Sequence, residues 1–115
     1  MDSKYKTIAL VDDEKDIVTL YSIVLQENGY KVMGFTNPLS FLKYIKDHKD
    51  EFDLVILDYR MGPMQGCELS DKIYEINPKI KMVFITAYNN IINNKRNLEI
   101  VKKSITMNRL LEIIQ

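Results

Sequence analysis

Short apolar runs recur along the chain, and most of them stop at a polar residue. Four of these runs predict strands, and each is followed directly by a polar side chain that can bind a ligand or react. The runs and the residues that follow them are 7–11 and Asp12, 53–57 and Asp58, 81–85 and Thr86, and 98–102 and Lys103. A fifth run, 30–35, precedes Asn37 and Pro38 and also predicts a strand. The run that ends at Asp58 is almost wholly apolar, which is typical of a parallel strand covered on both faces.

Between the strands, the apolar residues recur with the period of a helix. The first such stripe follows the acidic residues 12–14 and consists of Ile17, Leu20, Tyr21, Val24 and Leu25. Three shorter stripes follow it: Leu39, Leu42 and Ile45; Leu69, Ile73 and Ile76; and Met107, Leu110, Leu111 and Ile114. Boundary signals agree with these helices, because Gly29 supplies a left-handed cap, and Asn37 and Thr106 supply N-caps.

Strands and helices alternate through most of the 115 residues. This order predicts an α/β fold, a doubly wound five-stranded parallel sheet with helices on both faces. In such a sheet the loops after the strands meet at one edge, where ligands bind. The segment 87–97 departs from the pattern because it holds five asparagines, which compete with helical backbone for hydrogen bonds. We expect a stunted or irregular fourth helix there.

The composition is that of an ordinary soluble domain, with 46% hydrophobic and 28% charged residues. Sixteen basic and sixteen acidic side chains cancel, so bulk charge favours neither nucleic acid nor an anionic membrane. The single cysteine, Cys67, excludes an internal disulfide and fits a reducing cytosol. We interpret it as a small packed residue. No apolar run approaches the roughly twenty residues of a membrane span. We therefore expect one cytoplasmic domain over residues 1–115, without an output domain.

Three carboxylates, those of Asp12, Asp13 and Asp58, are predicted to converge at the edge of the sheet. At about 4 Å and an effective dielectric near 20, each like-charged pair costs roughly 4 kcal/mol. Protonation or a divalent cation would relieve this repulsion. Hard oxygen ligands without histidine or thiolate suit Mg²⁺, with Mn²⁺ as an alternative. Lys103 would bring a second cation from a neighbouring strand end.

Such a site is suited to phosphoryl transfer. A carboxylate can attack phosphorus and form an acyl phosphate, while metal and ammonium neutralise the charge on the phosphoryl oxygens. Thr86 can donate its hydroxyl to one of those oxygens. Nucleophilic attack by serine or cysteine is not supported, because the only histidine, His48, falls in a charged helix tail that we expect to be exposed.

These residues together resemble the receiver domain of two-component response regulators, and the likeness spans essentially the whole chain. The shared pattern is an acidic pair after the first strand, a lone aspartate after the third, a threonine after the fourth and a lysine after the fifth. The resemblance implies a flavodoxin-like fold in which Asp58 accepts a phosphoryl group from a histidine kinase or phosphotransfer protein. The phosphorylated domain would then switch a surface that a downstream effector protein reads, without acting as an enzyme on other substrates.

The resemblance also assigns the remaining site residues. It implies that Asp13 is the direct metal ligand and that Asp12 acts largely through water. Asp58 and the backbone carbonyl of Arg60 would complete the magnesium site. Three further positions follow from the same mapping: the switch hydroxyl at Thr86, the phosphate-contacting lysine at Lys103 and the switch aromatic position at Ile100.

Departures from the family pattern limit this mapping. The usual proline four residues after the acceptor is Gly62. The proline that commonly follows the lysine is Ser104, so Lys102 is an alternative to Lys103. Ile100 stands where the family has tyrosine or phenylalanine, and the spacer before the lysine is short. The surface that family members use for dimers is therefore altered, and a homodimer is left open.

Three other functions stand as alternatives. A pseudo-receiver would keep the fold as a protein-interaction module without phosphorylation. A haloacid-dehalogenase-like phosphatase would place a second aspartate two residues after the nucleophile, where this chain has Arg60. A flavodoxin-like cofactor binder would need a Gly-rich or hydroxyl-rich phosphate loop after the first strand, where Asp12, Asp13 and Glu14 would repel a phosphate.

Overall fold

The computed structural model describes the chain at residues 6–58, 66–86, 98–102 and 107–114. Within those residues, five strands and four helices follow one another: β1 (Thr7–Val11), α1 (Lys15–Glu27), β2 (Lys31–Phe35), α2 (Pro38–Asp47), β3 (Leu54–Asp58), α3 (Gly66–Ile76), β4 (Lys81–Thr86), β5 (Leu98–Lys102) and α4 (Met107–Ile114). Every strand predicted from the sequence is present, within one residue of its expected bounds.

The five strands form one parallel sheet in the order β2-β1-β3-β4-β5. This confirms the predicted doubly wound α/β fold. The chain leaves β1 for the edge strand β2 and then returns to β3 on the other side of β1, so the direction of winding reverses between β1 and β3. Connections that diverge at such a point leave a crevice beyond the carboxyl ends of the strands, where open α/β sheets bind ligands.

Both faces of the sheet are covered, because alternate residues of each strand point to opposite sides. On one face, Ala9 and Val11 of β1 pack with α2 and α3, and on the other, Ile8 and Leu10 pack with α1 and α4. The central strand β3 is buried at all of its positions, including Asp58. A charged residue is thus held at the end of an otherwise apolar strand.

Local signals in the sequence set the ends of two helices. Asn37 caps α2, and its side chain accepts a hydrogen bond from the Leu39 N–H at 2.8 Å. Asn28 ends α1, and Gly29 follows in the left-handed region at φ +93°, where a Cβ would be strained. These boundaries confirm the caps predicted at Gly29 and Asn37.

For two residues of the predicted helical stripes, the prediction that they lie in the core is wrong. Leu20 of α1 is 55% exposed and Leu39 of α2 is 50% exposed, whereas Val18 and Phe41 are buried. In each case the buried residue lies two positions from the exposed one. Two positions correspond to about 200° around a helix, so Leu20 and Leu39 lie off the buried side of their helices, and Leu39 borders the groove between α2 and α3.

The single histidine and the single cysteine lie at the surface. Cys67, interpreted from the sequence as packed, is exposed in the first turn of α3, and that interpretation is wrong. His48 is exposed at the end of α2, as expected, and its ring stacks on Tyr44 with 4.0 Å between centroids. The Tyr44 hydroxyl donates to Glu51 Oε1 at 2.6 Å, and this hydrogen bond is the main reason why the pKa of Tyr44 is raised.

A carboxylate at the start of β3 sets the register of the central strands. Asp53 accepts hydrogen bonds from the N–H groups of Lys6 and Thr7, both at 3.0 Å. Its own N–H donates to the Thr7 carbonyl at 2.9 Å. Because register is fixed at this edge, the relative positions of the strand ends at the opposite edge are fixed as well.

Several predicted features lie outside the described residues. They are the irregular helix over 87–97, the loop residue Arg60, the lysine Lys103 and the helix cap Thr106. Among the helices that the structure does describe, none has the length and apolar character needed to cross a membrane.

Gly34 of β2 marks a close approach between the sheet and α1. A Cβ at this position would collide with the Val18 side chain. We expect Gly34→Ala to lower the free energy of unfolding by about 1–3 kcal/mol, the usual cost of overpacking. Urea denaturation followed by circular dichroism measures this loss.

Val18→Ala provides the matched background for that substitution, because it removes the colliding methyl groups. In this background Gly34→Ala should cost less than about 0.5 kcal/mol, so that the two substitutions are strongly coupled. An equal loss of stability in both backgrounds would show that the collision is not the cause.

Candidate functional site

Two neighbouring strands bring aspartates to the same point of the sheet edge. Asp58 is the last residue of β3, and Asp12 follows β1 directly. The strands pair in parallel with Val11 opposite Leu57, so Asp12 and Asp58 leave the sheet side by side. Both are buried, with 4% and 6% of their surface exposed. Asp13 follows in the loop and is exposed.

The three carboxylates converge beyond the ends of β1 and β3. One carboxylate oxygen from each of Asp12, Asp13 and Asp58 lies within 4.8 Å of the others. At about 5 Å and an effective dielectric near 20, two carboxylate charges repel by roughly 3 kcal/mol. Burial of Asp12 and Asp58 limits the water that screens this repulsion. The arrangement therefore favours a bound cation or a shared proton.

Backbone hydrogen bonds orient Asp12 and the loop that follows it. The Asp12 N–H donates to the Phe35 carbonyl of β2 at 3.1 Å. The Oδ1 atom of Asp12 accepts the Glu14 N–H at 2.9 Å. The Glu14 carbonyl in turn accepts two N–H groups from the first turn of α1, both at 3.1 Å. Asp13 is thus held between a strand end and a helix start.

An apolar cavity of about 280 Å³ opens beside Asp12 and Asp58. Its aliphatic and aromatic lining includes Leu10, Ile17, Tyr21, Ile56 and Ile85. Such a wall lowers the local dielectric beside the carboxylates and strengthens the electrostatic interactions there. The sequence placed Ile17 and Tyr21 on a core stripe but gave no sign of this second role. Their distance from Asp58 depends on how α1 packs on the sheet.

The position predicted for the switch hydroxyl lies at the same edge. Thr86 ends β4, which pairs with β3 so that Ile85 is opposite Asp58. The backbone of Thr86 is therefore one residue beyond Asp58 along the neighbouring strand. Ile100 lies in β5 and pairs with Phe84 of β4.

Of the two candidate lysines, the structure describes Lys102. Lys102 is the last residue of β5 and pairs with Thr86. Lys103 lies outside the described residues, as does Arg60. The register brings the end of β5 to the same edge as β3 and β4, which either lysine assignment requires. The choice between Lys102 and Lys103 stays open.

The donor set fits a hard divalent cation. In the part of the chain that the structure describes, the cluster consists of three aspartates, with neither histidine nor cysteine, and such oxygen donors suit Mg²⁺ or Mn²⁺. Two ligands of one Mg²⁺ lie at most about 4.2 Å apart, twice the metal–oxygen distance. The 4.8 Å limit on the oxygen spacing is slightly wider, so small side-chain rotations, or one water between carboxylate and metal, would complete the fit.

The similarities of this chain to known proteins point to one family. The family model described as "Response regulator receiver domain" matches residues 8–115. The response regulator receiver protein CpdR of Brucella abortus is 34% identical over 83 residues, which cover 72% of this chain and 68% of that protein. Sporulation initiation phosphotransferase F of Bacillus subtilis is 32% identical over 81 residues, or 70% of this chain and 64% of that protein.

Longer proteins also match. The transcriptional regulatory protein ZraR of Klebsiella oxytoca is 33% identical over 91 residues, which cover 79% of this chain. Those residues make up 20% of ZraR, so the matched region spans about a fifth of that regulator.

Solved structures share the fold. A response regulator receiver domain protein from Clostridium thermocellum superposes with a TM-score of 0.86 at 24% identity, covering 95% of this chain and 90% of that one, a likeness in fold alone. The response regulator TrrA of Thermotoga maritima, solved in complex with Mg(2+)-BeF, gives a TM-score of 0.81 at 32% identity. That match covers 95% of this chain and 96% of TrrA.

Removal of one carboxylate should affect stability differently with and without metal. In Asp13→Asn the repulsion within the cluster falls, so the metal-free variant should unfold at a temperature a few degrees above that of the wild type. Mg²⁺ at a concentration a hundred times its Kd should raise the free energy of unfolding of the wild type by about 2.7 kcal/mol. The same concentration should stabilise the variant much less. Thermal unfolding in EDTA and in Mg²⁺, followed by circular dichroism, measures both effects.

Asp16→Asn is the matched control, because Asp16 is an exposed carboxylate in the first turn of α1 outside the cluster. Its stabilisation by Mg²⁺ should equal that of the wild type. Equal stabilisation of Asp13→Asn and the wild type would contradict a metal site at the cluster.

Proposed function

This chain belongs to the response regulator receiver domain family, and from that premise we propose that it is the phosphoacceptor of a two-component phosphorelay, modified at Asp58. Receiver domains are signalling modules, and we propose that this one promotes only the phosphorylation and dephosphorylation of its own aspartate. One observation carries the proposal. Asp58 is buried at the end of the central strand, and carboxylate oxygens of Asp12 and Asp13 lie within 4.8 Å of one of its own.

The position of Asp58 suits a nucleophile. Pairing of β3 with β1 on one side and β4 on the other holds its backbone, and a fixed position lowers the entropic part of the barrier to attack. Two relatives support the assignment. TrrA, 32% identical, was solved in complex with Mg(2+)-BeF, and the matching Bacillus subtilis protein is named a phosphotransferase.

The proposed reaction is a transfer between two side chains. One carboxylate oxygen of Asp58 forms a bond to the phosphorus of a phosphohistidine. The phosphorus–nitrogen bond breaks, the imidazole takes up a proton as it leaves, and an aspartyl phosphate results. The apolar wall that includes Ile17 and Tyr21 lies beside this carboxylate and lowers the local dielectric, which strengthens the interaction of a neighbouring cation with the reacting groups.

We propose that Asp12, Asp13 and Asp58, together with the Arg60 backbone carbonyl, hold one Mg²⁺, with Mn²⁺ as an alternative. When bound, the ion would neutralise charge on the phosphoryl oxygens and on the carboxylates around them. In its absence the same carboxylates would repel an incoming phosphoryl group. Asp12, already hydrogen-bonded to the Glu14 N–H, is the ligand that we expect to act through water.

The proposed switch lies on the strands beside Asp58. Lys103 would contact the phosphoryl group by a charge-assisted hydrogen bond, and Thr86 would donate its hydroxyl to another phosphoryl oxygen. Movement of Thr86 toward the phosphate would change the surface formed by β4 and β5. Ile100, at the position of the family's switch aromatic, lies on β5 next to Phe84 of β4. A local charge change would thus bias a surface that a partner reads.

The partners that we propose are proteins. A histidine kinase or a phosphotransfer protein would supply the phosphoryl group, and a downstream effector protein would read the switched surface. Direct binding to nucleic acid or membrane is not proposed, because sixteen basic and sixteen acidic side chains balance. A cytoplasmic location and the single receiver domain over residues 1–115 stay predictions from the sequence.

Acetyl phosphate with Mg²⁺ is expected to add one phosphoryl group to the wild-type chain, as counted by mass spectrometry of the intact protein. Asp58→Asn should stay unmodified, because it lacks the nucleophile. EDTA should prevent modification of the wild type, because metal neutralises the acidic cluster. The adduct should be lost in hydroxylamine, as expected of an acyl phosphate.

Asp50→Asn is the matched control, because Asp50 is an exposed carboxylate between α2 and β3 and lies outside the acidic cluster. It should be modified as the wild type is. Modification of Asp58→Asn, or undiminished modification of the wild type in EDTA, would refute the proposed chemistry. A wild-type chain that stays unmodified would support the pseudo-receiver alternative.

A further inference from the structure

Two elongated patches of opposite charge, each with an apolar centre, lie on different sides of the molecule. The α1 stripe is formed by Asp16, Leu20, Ile23 and Glu27. The α2–α3 groove is lined chiefly by Leu39, Leu42, Lys43, Lys46, Lys72 and Ile76. Neither patch belongs to the acidic site at the carboxyl ends of β1 and β3.

The α1 stripe runs along one side of its helix, because its members are spaced by four, three and four residues. Leu20 and Ile23 are 55% and 49% exposed. Asp16 and Glu27 are exposed at the two ends, roughly 16 Å apart at the helical rise per residue. The helix thus presents two aliphatic side chains between two carboxylates.

The α2–α3 groove has a volume of about 540 Å³, within the roughly 300–1,000 Å³ typical of ligand pockets. Its floor is apolar, with Leu42 buried and Leu39 50% exposed. Three exposed lysines border it: Lys43, Lys46 and Lys72. Among the described lining residues these face a single carboxylate, Glu75. The charge around the groove favours an anionic occupant with an apolar side.

The two patches carry charge of opposite sign within the described part of the chain. Three lysines line the groove against one carboxylate, Glu75, and the α1 stripe carries two carboxylates, Asp16 and Glu27. The helix α1 covers one face of the sheet, whereas α2 and α3 cover the other. One copy therefore cannot place its own stripe in its own groove, but two copies can.

We propose that the α1 stripe of one copy docks in the α2–α3 groove of a second copy. Leu20 and Ile23 would cover the exposed surface of Leu39, while Asp16 and Glu27 would face the lysines. The contact joins two different surfaces, so each pair leaves one stripe and one groove unoccupied. Association would continue head to tail, into a ring or an open filament. Its small area makes it weak and concentration-dependent, and it does not depend on phosphorylation of Asp58.

Sedimentation velocity of the wild type, from low micromolar to near-millimolar concentration, provides the first test. The weight-average sedimentation coefficient should rise with concentration, as expected of a small interface. A groove variant, Lys43→Glu with Lys72→Glu, and a stripe variant, Leu20→Gln with Ile23→Gln, should each stay monomeric. All four positions are exposed, and circular dichroism checks that both variants fold. Lys49→Glu with Lys79→Glu, which makes the same charge change outside the groove, should associate as the wild type does.

An equimolar mixture of the two variants gives the decisive result. The groove variant retains an intact α1 stripe and the stripe variant retains an intact groove, so the mixture should form a one-to-one dimer and nothing larger. Monomers in that mixture, or association of the groove variant alone at the wild-type level, would overturn the proposal. A wild type that stays monomeric throughout would also overturn it.

Discussion

The parallel pairing of β1 with β3 is the constraint on which the site depends. Val11 lies opposite Leu57, so the next residue on each strand, Asp12 or Asp58, emerges at the same height of the sheet edge. The winding of the chain reverses between these two strands, which leaves the crevice above them uncovered by a crossover. Asp53 helps to fix this arrangement from the far edge, through its hydrogen bonds to the N–H groups of Lys6 and Thr7.

The same constraint places stability and function in opposition. Burial of Asp12 and Asp58 beside an apolar cavity makes the repulsion between them costly. A surface location would screen these charges but would also weaken their attraction for a cation. The acidic cluster therefore resembles other functional sites, where unfavourable local electrostatics are tolerated because the rest of the fold is stable. Here the two apolar layers on either side of the sheet supply that stability.

The sequence predicts the strands and the carboxylate cluster well, because both depend on local pattern and on strand order. Apolar runs of parallel strands are short and sharply bounded, and Asp58 ends one of them. The sequence predicts less well which side of each helix is buried. Leu20 and Leu39 match a helical period but lie on the outer side, because the sheet contacts Val18 and Phe41 instead. The cavity wall formed with Ile17 and Tyr21 could not be predicted, since it depends on the distance between α1 and the strand ends.

Fluorine NMR of beryllofluoride binding tests the proposed role of the cluster most directly, because beryllofluoride imitates a phosphoryl group without a transfer step. With Mg²⁺ present, bound fluorine signals should appear for the wild type and be absent for Asp58→Asn. Without Mg²⁺, the wild type should show none, since Asp12, Asp13 and Asp58 would repel the anion. Bound signals of equal strength in EDTA, or in Asp58→Asn, would contradict a metal-dependent phosphoacceptor at Asp58.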